Sequence, residues 1–262
     1  MQRHNAPLKF FSYKIKGKIF GSVCIDNGWL ANDFKNKNKS INFLPVPTSS
    51  VYVPLSESIN GKIIIPFKSK CLHPLQSNMF RNASYVLLSK RQAAFSKNIQ
   101  TDFSGKTIST REREIRKYIK SGGSFKPIST ISHNELFDIY EYLFQSRWGK
   151  QISEKEINRS FFNEFHNHFK GEVLMMNGEP TAIQLLVSVE SRAGYFVDFI
   201  NIGYKKQIQT DSVGTILMWN NLKVLHAEAV NKDINLIYSY GFMSGDYKKR
   251  WCIPANTGRV LF

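Results

Sequence analysis

The sequence is poor in cysteine, has no long apolar run and, over its first half, carries few acidic residues. Its three cysteines, Cys24, Cys71 and Cys252, are scattered through 262 residues with no Cys-x-x-Cys pair. An odd, dispersed set argues against a disulfide framework and fits a reducing compartment. The six histidines supply no metal spacing. His166 and His168 are two apart and project to different sides of a helix, so no metal site is expected. No apolar stretch approaches the ~18 residues that spanning a bilayer requires, which argues against a transmembrane helix. The opening "MQRHNAPLKFFSYKIKGKIF" is basic without a continuous apolar core, so a cleavable secretory signal is not expected. Repeats and low-complexity tracts are also missing.

What is present describes a folded, basic protein. Aromatic residues make up 13% of the chain, including 20 phenylalanines, enough for a thick interior and too many for a disordered segment. The length has room for one large domain or two small ones. The net charge of +16 is confined to the first half: residues 1–126 hold 22 Lys/Arg against 6 Asp/Glu, and residues 127–262 hold 14 of each. Such asymmetry points to an anionic partner surface, either nucleic acid or the inner leaflet of a membrane. The plainer alternative is solubility charge spread over all faces.

The first hundred residues read as strands and turns. Asn27-Gly28 interrupts "KIFGSVCIDNGW", and Asn60-Gly61 lies between two apolar runs in "SVYVPLSESINGKIIIPF", a strong hairpin signal. "NDFKNKNKSIN" reads as a loop, and "SYVLLSKRQAAFSK" as a strand pair around a basic turn. The period then changes. Ser109 and Glu112 have capping-box spacing before a basic helix over 110–121, stopped by Gly122-Gly123. Arg111, Arg113, Arg116, Lys117 and Lys120 cover much of its surface. They form either a solvated face, helped by a Glu112–Arg116 pair, or an anionic-surface site. Ser132/Glu135 and Ser153/Glu156 open two more helices, the first ending at Gly149 and the second before Gly171. The strands "GEVLMM", "TAIQLLVSV" and "GYFVDFINI" follow, with a turn at "NGEP" after the first. A helix from Ser212 to about Val230, apolar on most sides, is expected to be buried. "INLIYSYG" and "TGRVLF" read as the last strands. This order predicts an α/β (α+β) fold, a mixed sheet flanked by helices over 106–262, preceded by a β-rich basic lobe over 1–105.

One stretch carries more chemistry than the rest: "SYGFMSGDYKKRW", Ser239 to Trp251. Asp246 follows a glycine at a strand exit, a place where α/β sheets expose reactive groups. In one reading Asp246 accepts a proton from an attacking amine or hydroxyl and Tyr247 donates to the leaving group. Lys248 and Arg250 then hold an anionic carrier or headgroup. In the other reading the corner is structural, with Tyr247 and Trp251 packed under the sheet and Asp246 paired with Lys249 or Arg147. Arg147-Trp148 ends a helix, where a cation suits the dipole and core packing competes with substrate binding.

The runs "REREIRKYIKSGG", "ELFDIYEYLFQSRWG" and "YSYGFMSGDYKKRWC" resemble the bacterial Mig-fourteen family of antimicrobial-peptide-resistance proteins, most clearly over 104–262. The helix–strand order also looks like the GNAT-type acyltransferase fold and its Fem-type relatives, with the first lobe a candidate for a degenerate second copy. The resemblance implies survival against cationic host-defence peptides and peripheral attachment to the cytoplasmic side of the inner membrane. It also implies an alternative role as a transcription regulator, and it brings no established reaction. GNAT-type enzymes hold a cofactor pyrophosphate in a glycine-rich loop at a helix start. The matching segment here is "QTDSVG", which implies cofactor contacts at Gln209, Ser212 and Gly214 for an acyl-CoA or aminoacyl donor. Ser212 stands where the first glycine belongs and equally serves as a plain N-cap, and Asp211 repels phosphate.

Two functions follow. The first is an acyl or aminoacyl transferase, or a silent descendant, modifying the envelope at the membrane. The second is a DNA-binding regulator using the helices over 133–148 and 154–169. Residues 132–170 hold five Lys/Arg against six Asp/Glu, which lacks the cationic excess of a recognition helix.

Overall fold

A computed structural model describes residues 8–37, 45–47, 49–57, 59, 61–86, 91–206 and 213–262. The described residues fall into two compact units, one within 1–42, 46–95 and 240–262, the other within 43–45 and 96–239. No helix among them is long and apolar enough to cross a membrane.

The first unit opens with an antiparallel sheet of β1 (Lys9–Ile15), β2 (Lys18–Asp26) and β3 (Trp29–Leu30). Its two connections are two-residue turns with positive φ at both positions: 48° and 79° at Lys16-Gly17, 51° and 77° at Asn27-Gly28. That geometry matches the right-handed twist of the strands it joins. Tyr13, Val23 and Leu30 pack with Val53, Ile65, Leu72, Phe80 and Val260 into one core. The hairpin expected around Asn60-Gly61 does not form among the described residues, and Asn60 itself lies outside them. Val51 bridges Leu72, Leu55 bridges Gly21 and Ile63 bridges Phe80 instead. Pro54 and Pro66 remove ladder donors from both runs. Side-chain amides replace the missing strand neighbour: Gln76 bonds both the N–H and the carbonyl of Val53 (2.8 and 2.7 Å). Asn82 does the same for Ile65 (3.0 and 2.9 Å). Each amide presents one donor and one acceptor, as a peptide group would.

β4 (Ala83–Ser84) and β5 (Gln92–Ser96) do not pair with one another, although the sequence suggests it. β4 pairs with β13 (Arg259–Val260), and β5 lies beside β12 (Cys252–Asn256). Residues 87–90, the expected basic turn, lie outside the described set.

The second unit is a three-layer α/β arrangement with helices on both faces of a mixed sheet. Its elements are α1 (Gly105–Lys120), β6 (Gly123–Pro127), α2 (His133–Trp148), α3 (Lys155–Glu164), β7 (Phe169–Lys170), β8 (Glu172–Met176), β9 (Glu179–Ser191), β10 (Gly194–Tyr204), α4 (Val213–Asn231) and β11 (Leu236–Phe242). The last three residues of β11 belong to the first unit. The strand order is β11-β10-β9-β8-β6, with β7 also on β9. β10 is antiparallel to β9 and parallel to β11. Alternation along β9 serves the two faces. Ile183 and Leu185 join the core under α2 and α3, while Gln184 turns to Asn221 of α4 (3.0 Å). α4 is buried on most sides, as its composition predicts.

Two helix starts differ from expectation. α1 begins at Gly105, capped by Ser104, whose hydroxyl accepts from Thr107 N (3.2 Å). Ser109 therefore lies inside the helix. Glu112 is drawn off the helix surface to Trp219 Nε1 and Lys223 Nζ on α4 (2.8 and 2.9 Å). α3 begins at Lys155 with no side-chain cap, because Glu154 takes a left-handed φ of 49° and Ser153 gives its carbonyl to Asn158. It stops at Glu164, and a short 3-10 turn, His166–His168, follows. The Ser132 cap of α2 and its Gly149 terminus match the sequence.

Candidate active site

β10 reads GYFVDFINIGY, an apolar strand with a single carboxylate at its centre. The parallel ladder with β11 covers four pairs, Tyr195–Leu236 to Asp198–Ser239, and stops there. β10 continues for six residues against β9, with a register shift between Phe199 and Asn201. A shift of this kind leaves one residue unpaired and bends the strand, a device common beside active sites. Asp198 thus sits where the parallel pairing ends and the strand kinks. It is partly buried. Loss of hydration pushes its carboxyl up to about 7, although a hydrogen bond from Ser239 favours the ionised form. A carboxylate poised near neutral pH suits proton transfer. The residues singled out from sequence do not include it.

α2 builds one wall beside this kink. Gly203 allows the close approach, since a Cβ there would stand 2.8 Å from the carbonyl carbon of Leu143. Arg147 donates to the carbonyl of Ile202 (2.6 Å). Its guanidinium lies 4.3 Å from the Trp148 ring centre and 5.0 Å from that of Tyr204. Asn201 reaches the Tyr140 hydroxyl (3.4 Å). Trp148 remains 47% exposed. The structure therefore brings Arg147, with Trp148 beside it, to Ile202 and Tyr204 of β10, further along the strand than Asp198. Under the opposite face, Gln184, Tyr238, Asn221 and the Glu172 N–H form a buried relay with every link bonded. Two clefts lie elsewhere in this unit. One, of about 230 Å³, includes Lys97, His226 and Tyr238 in its wall. The other, of about 370 Å³, includes His166, Glu172 and Glu228.

The Gly-Asp corner belongs to the first unit and contains the short α5 (Tyr247–Trp251). The side chain of Asp246 is 94% exposed and pairs with Lys249 at 2.8 Å. Lys248 is buried. Its ammonium donates to the carbonyls of Tyr240 and Phe242 (2.6 and 2.5 Å), and desolvation lowers its pKa. Trp251 is buried, whereas Tyr247 and Arg250 are exposed.

On α1, Arg113, Arg116, Lys117 and Lys120 are exposed, and Arg111 pairs with Glu114 (2.5 Å). Burial alone would raise the Glu112 pKa, but hydrogen bonds from Lys223 and Trp219 outweigh it and the net shift is downward. The cations of α3 are engaged by α2: Lys155 with Glu141 (2.9 Å) and Arg159 with Asp138 (2.6 Å). Gln209 and Ser212 lie outside the described residues. Gly214 is in the first turn of α4, and a Cβ there would meet only Ile202 Cδ1 at an ordinary 3.7 Å.

These features define a mixed α/β protein with a carboxylate at the end of a parallel strand pair. The chain belongs to the Mig-14 (Mig-fourteen) family, whose profile matches residues 1–260. No curated protein matches it by sequence. Among solved structures it is similar to the C-terminal domain of a chain named for lysylphosphatidylglycerol synthetase from Agrobacterium fabrum, at 10% identity and a TM-score of 0.45, over 66% of this chain and 60% of that one. L-PGS from Bacillus licheniformis is similar at 12% identity and a TM-score of 0.41, over 65% and 59%. A "possible acetyltransferase" from Clostridium difficile 630 is similar at 11% and 0.35, over 45% and 78%. The match thus spans about three fifths of each synthetase chain.

Proposed function

We propose that the protein transfers an acyl or aminoacyl group to an envelope component at the anionic membrane face, and so protects the cell from cationic peptides. The observation that carries the transfer step is Asp198, ionisable near neutral pH, at the point where the β10–β11 ladder ends. The acceptor's amine or hydroxyl attacks the donor carbonyl and loses its proton to the Asp198 carboxylate. A new C–N or C–O bond forms, the bond to the donor's carrier breaks, and the carrier leaves with the electron pair and takes up, directly or through water, the proton that Asp198 gives back. Arg147 and Trp148, at the end of α2 where it meets Ile202 and Tyr204 of β10, orient the part of the acceptor remote from the reacting atom. No step is assigned to coenzyme A, since Gln209 and Ser212 of the implied loop lie outside the described residues.

Family membership supports the resistance role. The basic first half and the exposed cations of α1 support an anionic surface as the one met, and the two helices α2 and α3 favour membrane over DNA. A helix pair whose second member has both cations tied to carboxylates is poorly equipped for phosphate contacts. Added cationic or acyl groups on a lipid weaken the attraction of polycations to the bilayer.

The test is survival of cells challenged with a cationic amphipathic peptide, comparing the wild-type gene, its deletion, Asp198→Asn and Asp246→Ala. The proposal expects Asp198→Asn to behave as the deletion. Full protection by Asp198→Asn removes Asp198 from the chemistry. A loss confined to Asp246→Ala moves the chemistry to the Gly-Asp corner.

A further inference from the structure

The β1–β2 hairpin ends in a tip that no core residue among the described residues covers. Residues 14–19, Lys-Ile-Lys-Gly-Lys-Ile, are exposed throughout, with Ile15 at 55% and Ile19 at 62%, and Phe10 lower on the same hairpin at 74%. Lys14 stands opposite Ile19, and Ile15 opposite Lys18. Lys9, Lys14, Lys16 and Lys18 make no ion pair among the described residues. The turn itself is unusual. Asn occupies the first position of the turns at Asn27-Gly28 and Asn177-Gly178, at φ near 50°, and Lys16 occupies the same position at 48°. A left-handed φ suits Asn and disfavours Lys. A lysine is therefore held where turn chemistry favours another residue, between two isoleucines that gain nothing from water.

We infer that this tip is a membrane-docking wedge that enters end-on, Ile15 on one face and Ile19 on the other meeting the apolar boundary, while the lysine stems reach back to anionic phosphates. Alternation of long cations with β-branched apolar residues fits the bilayer interface, where a few ångströms separate phosphate from hydrocarbon. Basic residues near an anionic leaflet contribute additively, and apolar insertion adds a part that salt does not screen. The inference rests on the membrane face named above. Its readout does not involve turnover, so failure of transfer and failure of docking are distinguishable.

The experiment is co-sedimentation of the full chain with phosphatidylcholine vesicles, with and without phosphatidylglycerol, across a salt series. Ile15→Ser/Ile19→Ser and Lys14→Glu/Lys16→Glu/Lys18→Glu are compared with wild type. All five side chains are exposed, so the fold is expected to survive, and circular dichroism checks it. Wild type should bind the anionic vesicles and keep part of that binding at high salt. The isoleucine variant should bind about tenfold more weakly and lose the salt-resistant part. The lysine variant should lose about 100-fold or more. Binding of the isoleucine variant equal to wild type overturns the wedge. So does absence of vesicle binding, or binding to duplex DNA alone, or self-association that the same substitutions abolish.

Discussion

A carboxylate in the middle of an apolar strand is unfavourable to ionise, and Asp198 shows it: its carboxyl titrates near 7, against an ordinary 3.8. The native state therefore holds this proton more tightly than the unfolded chain. The stability it contributes is fullest below about pH 4 and declines as pH rises to about 7. Asp198→Asn should remove that decline, read as a smaller loss of stability between pH 5 and pH 8 in urea denaturation. The same carboxylate must be ionised to accept a proton, so transfer should rise with pH through about 7. Asp198→Asn should reduce transfer by about 100-fold or more. Lys248 gives its ammonium to two backbone carbonyls of β11. Lys248→Met takes the ammonium from the carbonyls of Tyr240 and Phe242, the latter still accepting from the Ser244 N–H, and should destabilise by about 1–2 kcal/mol, measured by urea denaturation. Composition points to the Gly-Asp corner because its charges are adjacent in sequence. Asp198 stands alone among apolar residues, and the signal that could have found it is that isolation within a buried strand. Only pairing with Ser239 across the parallel ladder gives it a setting.

Elements whose ends are decided locally are legible in the sequence. Asn27-Gly28 and Asn177-Gly178 make the turns their dipeptides announce, and Ser132 caps α2. Elements decided at a distance are not. The runs flanking Asn60-Gly61 find partners in Leu72, Gly21 and Phe80, and Gln76 and Asn82 stand in for a neighbouring strand. Glu112, with the spacing of a capping box, is taken by Trp219 and Lys223, more than a hundred residues along the chain. The approach of α2 to β10 also depends on one residue that composition does not flag. Gly203→Ala should push the helix off the strand and destabilise by about 1–3 kcal/mol. Thermal unfolding measures that loss, and transfer should fall further than stability alone explains, because Arg147 and Trp148 ride on the same helix.

At the scale of the whole molecule the charge is the informative quantity. All of the +16 comes from residues 1–126. That excess is visible in the described structure as the exposed lysines of the β1–β2 tip and the cationic face of α1. A chain built this way is attracted to anionic surfaces and repels polycations, so protection by direct capture of cationic peptides is disfavoured and protection by altering the surface they seek is favoured. Mass spectrometry of envelope lipids and peptidoglycan reads that alteration directly, in cells carrying the wild-type gene, Asp198→Asn or no gene. The account predicts an acylated or aminoacylated species present with the wild-type gene and absent from the other two. Three identical profiles would contradict it.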